Sequence, residues 1–119
     1  MRDLAMSPKW MSKFPKAGVR EWHVHPVSFY YELLAPHAAA LDIWTTEYIH
    51  VLPGPEEIVE WYKGTGLRPY LDALLVASDR AAFLADYLEL IREAFPCCAD
   101  GRVLFPFQRL FAIAYKPSA

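Results

Sequence analysis

The sequence predicts an α/β fold in which two strands bracket a run of helices, and three observations carry that expectation. Residues 42–51, Asp42-Ile43-Trp44-Thr45-Thr46-Glu47-Tyr48-Ile49-His50-Val51, are rich in the β-branched and aromatic types that fit a pleated, half-buried surface. Residues 55–95 carry apolar side chains at three- and four-residue spacing, between breaks at Pro53-Gly54-Pro55, Gly64-Thr65-Gly66 and Pro96. Residues 103–115 return to an apolar, aromatic stretch that reads as a second strand. The expected order is helix, helix, strand, three helices, strand. The two strands should pair antiparallel, with residues 55–95 helical between them.

At the start of the chain, Ser7-Pro8 has the form of an N-cap followed by proline at the first helical position. A short helix is expected there with Trp10, Met11 and Phe14 on one face, ended by Pro15 and Gly18. Pro26 opens a second helix with Phe29, Tyr30, Leu33 and Leu34 as its apolar stripe, and Pro36 stops it. On the first strand, Trp44, Thr46, Tyr48 and His50 share one face. Glu56 and Glu57 fall in the first turn of the next helix, where the helix dipole favours negative charge, and Ile58, Trp61 and Tyr62 form its apolar side. A short helix after Pro69 carries Tyr70, Leu71, Leu74 and Leu75. Ser78 is expected to cap a longer one, whose inner face holds Phe83, Leu84, Tyr87, Leu88, Leu90, Ile91 and Phe95. Proline within a strand removes a ladder donor, so a bulge is expected near Pro106.

The 119 residues are 55% hydrophobic and 15% aromatic, enough for one domain with a modest core. Twelve Lys and Arg against fourteen Asp and Glu give a net charge of −2, which argues against a dedicated nucleic-acid binder. Apolar runs are short and broken, so no membrane span is expected, and Met1-Arg2-Asp3-Leu4 lacks the apolar core of a secretory signal. Cys97 and Cys98 are adjacent, a spacing that strains a mutual disulfide. They read as loop residues in a cytoplasmic protein.

The chemistry-bearing motifs are few. None of Gly18, Gly54, Gly64, Gly66 and Gly101 builds a glycine-rich turn between an early strand and a helix, so no dinucleotide or phosphate cradle is expected. No nucleophile–histidine arrangement follows from spacing. His23-Val24-His25 can align two imidazoles, but surface histidines before a helix start are the simpler account, and no metal is expected. Arg2, Lys9, Lys13, Lys16 and Arg20 give the first twenty residues a basic bias against the single acid Asp3. That bias reads as a solvated helix face before an anion-binding surface.

The most distinctive stretch runs from Trp44 to Gly54, then through Glu60-Trp61-Tyr62-Lys63-Gly64-Thr65-Gly66-Leu67-Arg68-Pro69, and ends with Ala99 to Phe111. It resembles the trans-aconitate 2-methyltransferases, class I enzymes dependent on S-adenosylmethionine. The resemblance covers most of the chain and is weakest over the first twenty residues. It implies a partial class I methyltransferase, Rossmann-like, of which residues 1–119 form a single C-terminal, acceptor-side segment. The two strands are then the antiparallel last pair, and the helices between them the insertion over the acceptor. The strand–glycine-loop–helix unit that grips the donor is missing from these residues, so S-adenosylmethionine is the cofactor of the family but is not expected to bind here. The chain departs from the family at Thr45, where a charged residue is frequent, and at Gln108, where a basic one is common.

The reaction that the resemblance implies makes the remaining residues interpretable. A carboxylate acceptor, with a pKa near ~4, is already ionised at neutral pH and needs no general base. Rate then comes from holding its oxygen in place and excluding water. A polycarboxylate acceptor wants cations and hydrogen-bond donors, with arginine able to bind bidentately. The candidates are Tyr48, His50, Trp61, Lys63, Thr65 and Arg68, with free backbone donors also expected at the glycine break. Core packing accounts equally well for Tyr48 and Trp61, and a solvated surface for Lys63, whereas for Arg68 the motif favours acceptor binding over a surface ion pair. No catalytic side chain is assigned, and the chain alone is expected to be inactive. A non-enzymatic α+β remnant that binds a small anion or a partner chain fits the same residues, as does a related methyltransferase with another small acid as acceptor. The resemblance also implies self-association: the final strand would lack its second neighbour, leaving the Leu110–Tyr115 side, with apolar Leu110, Phe111, Ile113 and Tyr115, as an exposed edge.

Overall fold

Two long strands form where β-branched and aromatic residues concentrate, and helices fill the interval between them. In the computed structural model, which describes residues 1–21 and 24–118, β1 is Ala40–Leu52 and β2 is Val103–Tyr115. They form a two-stranded sheet. The Ala39 amide donates to the Tyr115 carbonyl at 2.8 Å, so the start of β1 lies beside the end of β2 and the pair is antiparallel. The helices are α1 Arg2–Ala5, α2 Val27–Leu34, α3 Pro55–Lys63, α4 Arg68–Ala73 and α5 Ala77–Ala94. The mixed α/β class, the antiparallel pairing and the helical interval are as the sequence predicts. None of these helices is long and apolar enough to cross a membrane.

Several elements differ from expectation, each for a local reason. The Ser7 hydroxyl donates back to the Leu4 carbonyl at 2.6 Å instead of capping forward. The expected helix after Ser7-Pro8 is therefore replaced by α1 and a 3₁₀ turn at Met11–Lys13. Trp10 and Phe14 still turn inward, but Met11 is exposed. Nothing in α2 is fully buried, so the Phe29–Leu34 stripe faces no core within its own unit. Ser78 lies inside the first turn of α5, whose N-cap is Val76, and Leu90 and Leu75 are exposed. β2 runs unbroken through Pro106.

The chain divides into two compact units, Met1–Trp22 with Val51–Phe105, and His23–His50 with Pro106–Ala119. Among the described residues, all the fully buried apolar side chains lie in the first. Its centre is Phe83, wholly buried, with Trp10 edge-on at 5.2 Å, Phe14 at 5.3 Å and Tyr70 stacked at 6.1 Å. Such pairs add to area burial because ring edges meet ring faces. A second cluster gathers Trp61, Tyr62 and Phe95 around Phe105. α3 packs on α5, and Arg92 of α5 donates to Glu56 of α3 at 2.9 Å. The second unit rests on the sheet, where Trp44 stacks on Phe111 at 5.3 Å and the Tyr115 hydroxyl donates to Asp42 at 3.0 Å.

One polar contact ties the N-terminal segment to α5. The indole N–H of Trp10 donates to Asp86 Oδ2 at 2.7 Å, and Lys9 Nζ donates to the same oxygen at 2.8 Å. These two bonds, the lysine's first, hold the Asp86 carboxyl below its ordinary pKa. A lowered native pKa contributes stability that is complete above the unfolded value and is lost as pH falls through the native one. Asp86→Ala leaves the donor of a buried indole without its acceptor and should cost about 1–3 kcal/mol. Lys9→Ala removes an exposed ion pair and the ammonium that lies 5.3 Å from the Trp10 ring centroid, and should cost less than about 1 kcal/mol. Urea titrations at neutral pH check both; equal losses would assign the contact to charge alone.

The loop after α5 closes tightly. Gly101 adopts a φ of +84°, which favours glycine, while the Cys98 amide donates to the Arg102 carbonyl at 2.7 Å. Cys97 and Cys98 are exposed free thiols of this loop, as expected.

Candidate functional site

The segment that carries the sequence motif is the turn from α3 into α4. Gly64 ends α3, and the amides of Thr65 and Leu67 both donate to the Tyr62 carbonyl, at 3.1 and 2.8 Å. Leu67 is wholly buried and acts as the pivot, and the Arg68 amide donates to Thr65 at 3.0 Å. The free backbone donors expected at this break are therefore corrected: these three amides are committed within the turn. A Cβ on Gly66 would approach the terminal methyl of the flexible Met1 side chain at 3.1 Å.

Four of the six candidates sit on this turn. Trp61 is half-exposed, with its ring edge-on to Phe105 at 5.9 Å. Its carbonyl accepts the Thr65 hydroxyl at 3.3 Å. Lys63 Nζ donates to Glu60 at 2.8 Å, one turn back on the same helix. Arg68 opens α4 and faces Asp72 at 3.6 Å, both well exposed. The cations are thus held in solvent by short-range carboxylate partners that a ligand carboxylate can replace at small cost, since exposed pairs contribute little. The other two candidates, Tyr48 and His50, belong to the sheet unit. They share a strand face as expected, with ring centroids 6.5 Å apart, and the His50 ring lies edge-on to Phe107 at 6.3 Å. The six candidates therefore fall into two local groups, one in each unit.

Cavities open in the first unit, and the two described next are lined by none of the six. One, of about 430 Å³, is bounded by the N-terminal segment and Tyr70. The other, of about 410 Å³, is lined by Arg2, Asp3, Glu21, Tyr62, Gly66, Tyr70 and Tyr87 among others. Burial pushes the Tyr87 hydroxyl up to about 12, with the neighbouring Tyr62 adding to it, and raises Tyr62 as well. Both phenols thus stay protonated donors at neutral pH. Sequence reading missed these tyrosines because helical spacing marks them only as apolar-face residues.

The residues present do not fit a cradle for S-adenosylmethionine. The single described strand-to-helix turn, between β1 and α3, holds one glycine, Gly54. A Cβ there would lie 2.8 Å from Glu56 Oε2, so an acidic side chain occupies the approach. That carboxyl is held ionised, its pKa lowered chiefly by the hydrogen bond from Arg92. Among the described residues no group of three or more His, Cys, Asp or Glu is placed to hold a metal ion, and His23 lies outside them.

Comparison with known proteins places these features in context. No family model matches the chain. It is 44% identical over 115 residues to the trans-aconitate 2-methyltransferase of Yersinia pestis (strain Pestoides F), covering 97% of this chain and 44% of that protein. It is 47% identical over 116 residues to the protein of that name from Rhizobium etli, covering 98% of this chain and 45% of that protein. The chain thus spans less than half the length of these relatives. The resemblance drawn from the Trp44–Pro69 and Ala99–Phe111 motifs is borne out: over nearly its whole length, this chain is similar to part of the proteins named trans-aconitate 2-methyltransferase.

Proposed function

We propose that the chain is the C-terminal, acceptor-side part of a class I carboxylate O-methyltransferase of Rossmann-like fold, which takes trans-aconitate or a closely similar small polycarboxylate in the cytoplasm. The similarity to trans-aconitate 2-methyltransferases over 97–98% of the chain is the observation that carries this reading. In it, Arg68 and Lys63 exchange their exposed partners Asp72 and Glu60 for acceptor carboxylates. Thr65 adds a hydroxyl and Trp61 a wall that excludes water, while Tyr48 and His50 remain candidates within the sheet unit by themselves. The acceptor is ionised at neutral pH, so these residues bind and orient and none has to move a proton.

The test is to join the donor-binding part of a relative to this chain and assay methyl transfer to a panel of small acids. Methylation of trans-aconitate in preference to other acids is expected. Transfer to a different acid would reassign the acceptor, and no transfer from a folded fusion would overturn the reading. Calorimetry of the 119-residue chain should give no saturable heat with S-adenosylmethionine; binding in the micromolar range would contradict the poor fit of the Gly54 turn. A second reading, a non-enzymatic anion or partner binder, has one observation in its favour: both cations are already paired on their own helices.

The isolated chain should also self-associate. Within the sheet each strand has a single hydrogen-bonded neighbour, and Ile49, Val51, Ile113 and Tyr115 are exposed. An unpaired apolar edge is a template for another copy. Light scattering after size exclusion should report a dimer or larger species, and a monodisperse monomer at roughly tens of micromolar would refute this.

A further inference from the structure

The basic bias of the first twenty residues resolves once each cation is placed. Lys9 and Lys13 are neutralised by α5, through Asp86 at 2.8 Å and Asp79 at 3.1 Å. Arg2 faces Glu21 at 3.6 Å, beyond hydrogen-bond distance, and Lys16 and the exposed Arg20 make no ion pair among the described residues. Arg2 and Lys16 are also the two charged side chains lining the cavity of about 430 Å³, whose walls are otherwise mostly apolar. No carboxylate lines it. Tyr70 closes the cavity from α4, its ring only 2% exposed and fixed between Phe14 at 5.9 Å and Phe83 at 6.1 Å. The Tyr70 hydroxyl makes no hydrogen bond among the described residues. Tyr70 lines both this cavity and the one of about 410 Å³, and among the described residues no buried side-chain polar atom lacks a partner.

We propose that this cavity binds a small organic acid with an apolar body, its carboxylate taken by Lys16, Arg2 and the Tyr70 hydroxyl and its body by Met6, Met11 and Phe14. Fixed phenol and mobile cations divide the work: the tyrosine sets the carboxylate's position, and the two cations supply the charge. Apolar walls with a few convergent polar groups are the usual make-up of a small-molecule site. The methionines suit a ligand of varied shape, because their unbranched side chains repack readily. The site goes beyond the proposed methyl-transfer function and shares no residue with Trp61–Arg68.

The test uses trans-cinnamate as probe, its uncharged amide as control, and calorimetry on the 119-residue chain. Saturable binding of cinnamate and none of the amide are expected. Tyr70→Phe and Lys16→Met should each weaken cinnamate about tenfold, whereas Arg68→Ala should leave it unchanged. Tyr70→Phe keeps the ring packing, and an unchanged melting temperature would verify that. Absence of saturable cinnamate binding, equal binding of the amide, or unaltered affinity in both variants would overturn the proposal. A loss caused by Arg68→Ala would move the site to the α3–α4 turn and overturn it as well.

Discussion

Phe83→Ala is expected to destabilise the chain by about 3–5 kcal/mol, a large share of the ~5–15 kcal/mol typical of a folded domain. The side chain is wholly buried and touches three other rings, Trp10, Phe14 and Tyr70. Its removal takes away transfer energy and leaves a void that three rigid aromatics cannot close. Urea titration followed by tryptophan fluorescence is the measurement, because Trp10 sits edge-on to the deleted ring. Leu90→Ala is the control. It lies on the same helix and has the spacing of an inner-face residue, but it is exposed, and it should cost less than about 1 kcal/mol. Similar losses at the two positions would mean that α5 is oriented otherwise than described.

In a protein completed with a donor-binding part, Arg68→Ala should reduce use of the acceptor by roughly 2–4 kcal/mol, with donor affinity unchanged. The guanidinium is free to reorient, since its partner Asp72 is exposed and 3.6 Å away. Asp72→Ala separates the roles. If Arg68 binds the acceptor, losing Asp72 should leave kcat/KM for trans-aconitate equal or higher. If the pair only stabilises α4, both substitutions should lower stability alike and leave acceptor specificity intact. The second result would remove Arg68 from the proposed site.

What the sequence by itself determined was local and periodic. Alternating β-branched and aromatic residues marked β1, proline and glycine breaks marked the ends of α3 and α4, and the Tyr48–His50 face followed from the two-residue repeat of a strand. The motif from Glu60 to Pro69 was legible enough to carry the family resemblance, and it forms one tight turn that pivots on buried Leu67. Tertiary structure decided what chain neighbours cannot. It chose Phe83 over Leu90 for the core, since helical spacing defines a broad stripe and packing selects within it. It sent Lys9 and Lys13 to acids more than sixty positions away while leaving Lys16 beside a cavity, a division that charge counting cannot make. It also placed Tyr70 in the walls of two cavities, because which rings pack against it from distant segments is beyond the reach of local spacing.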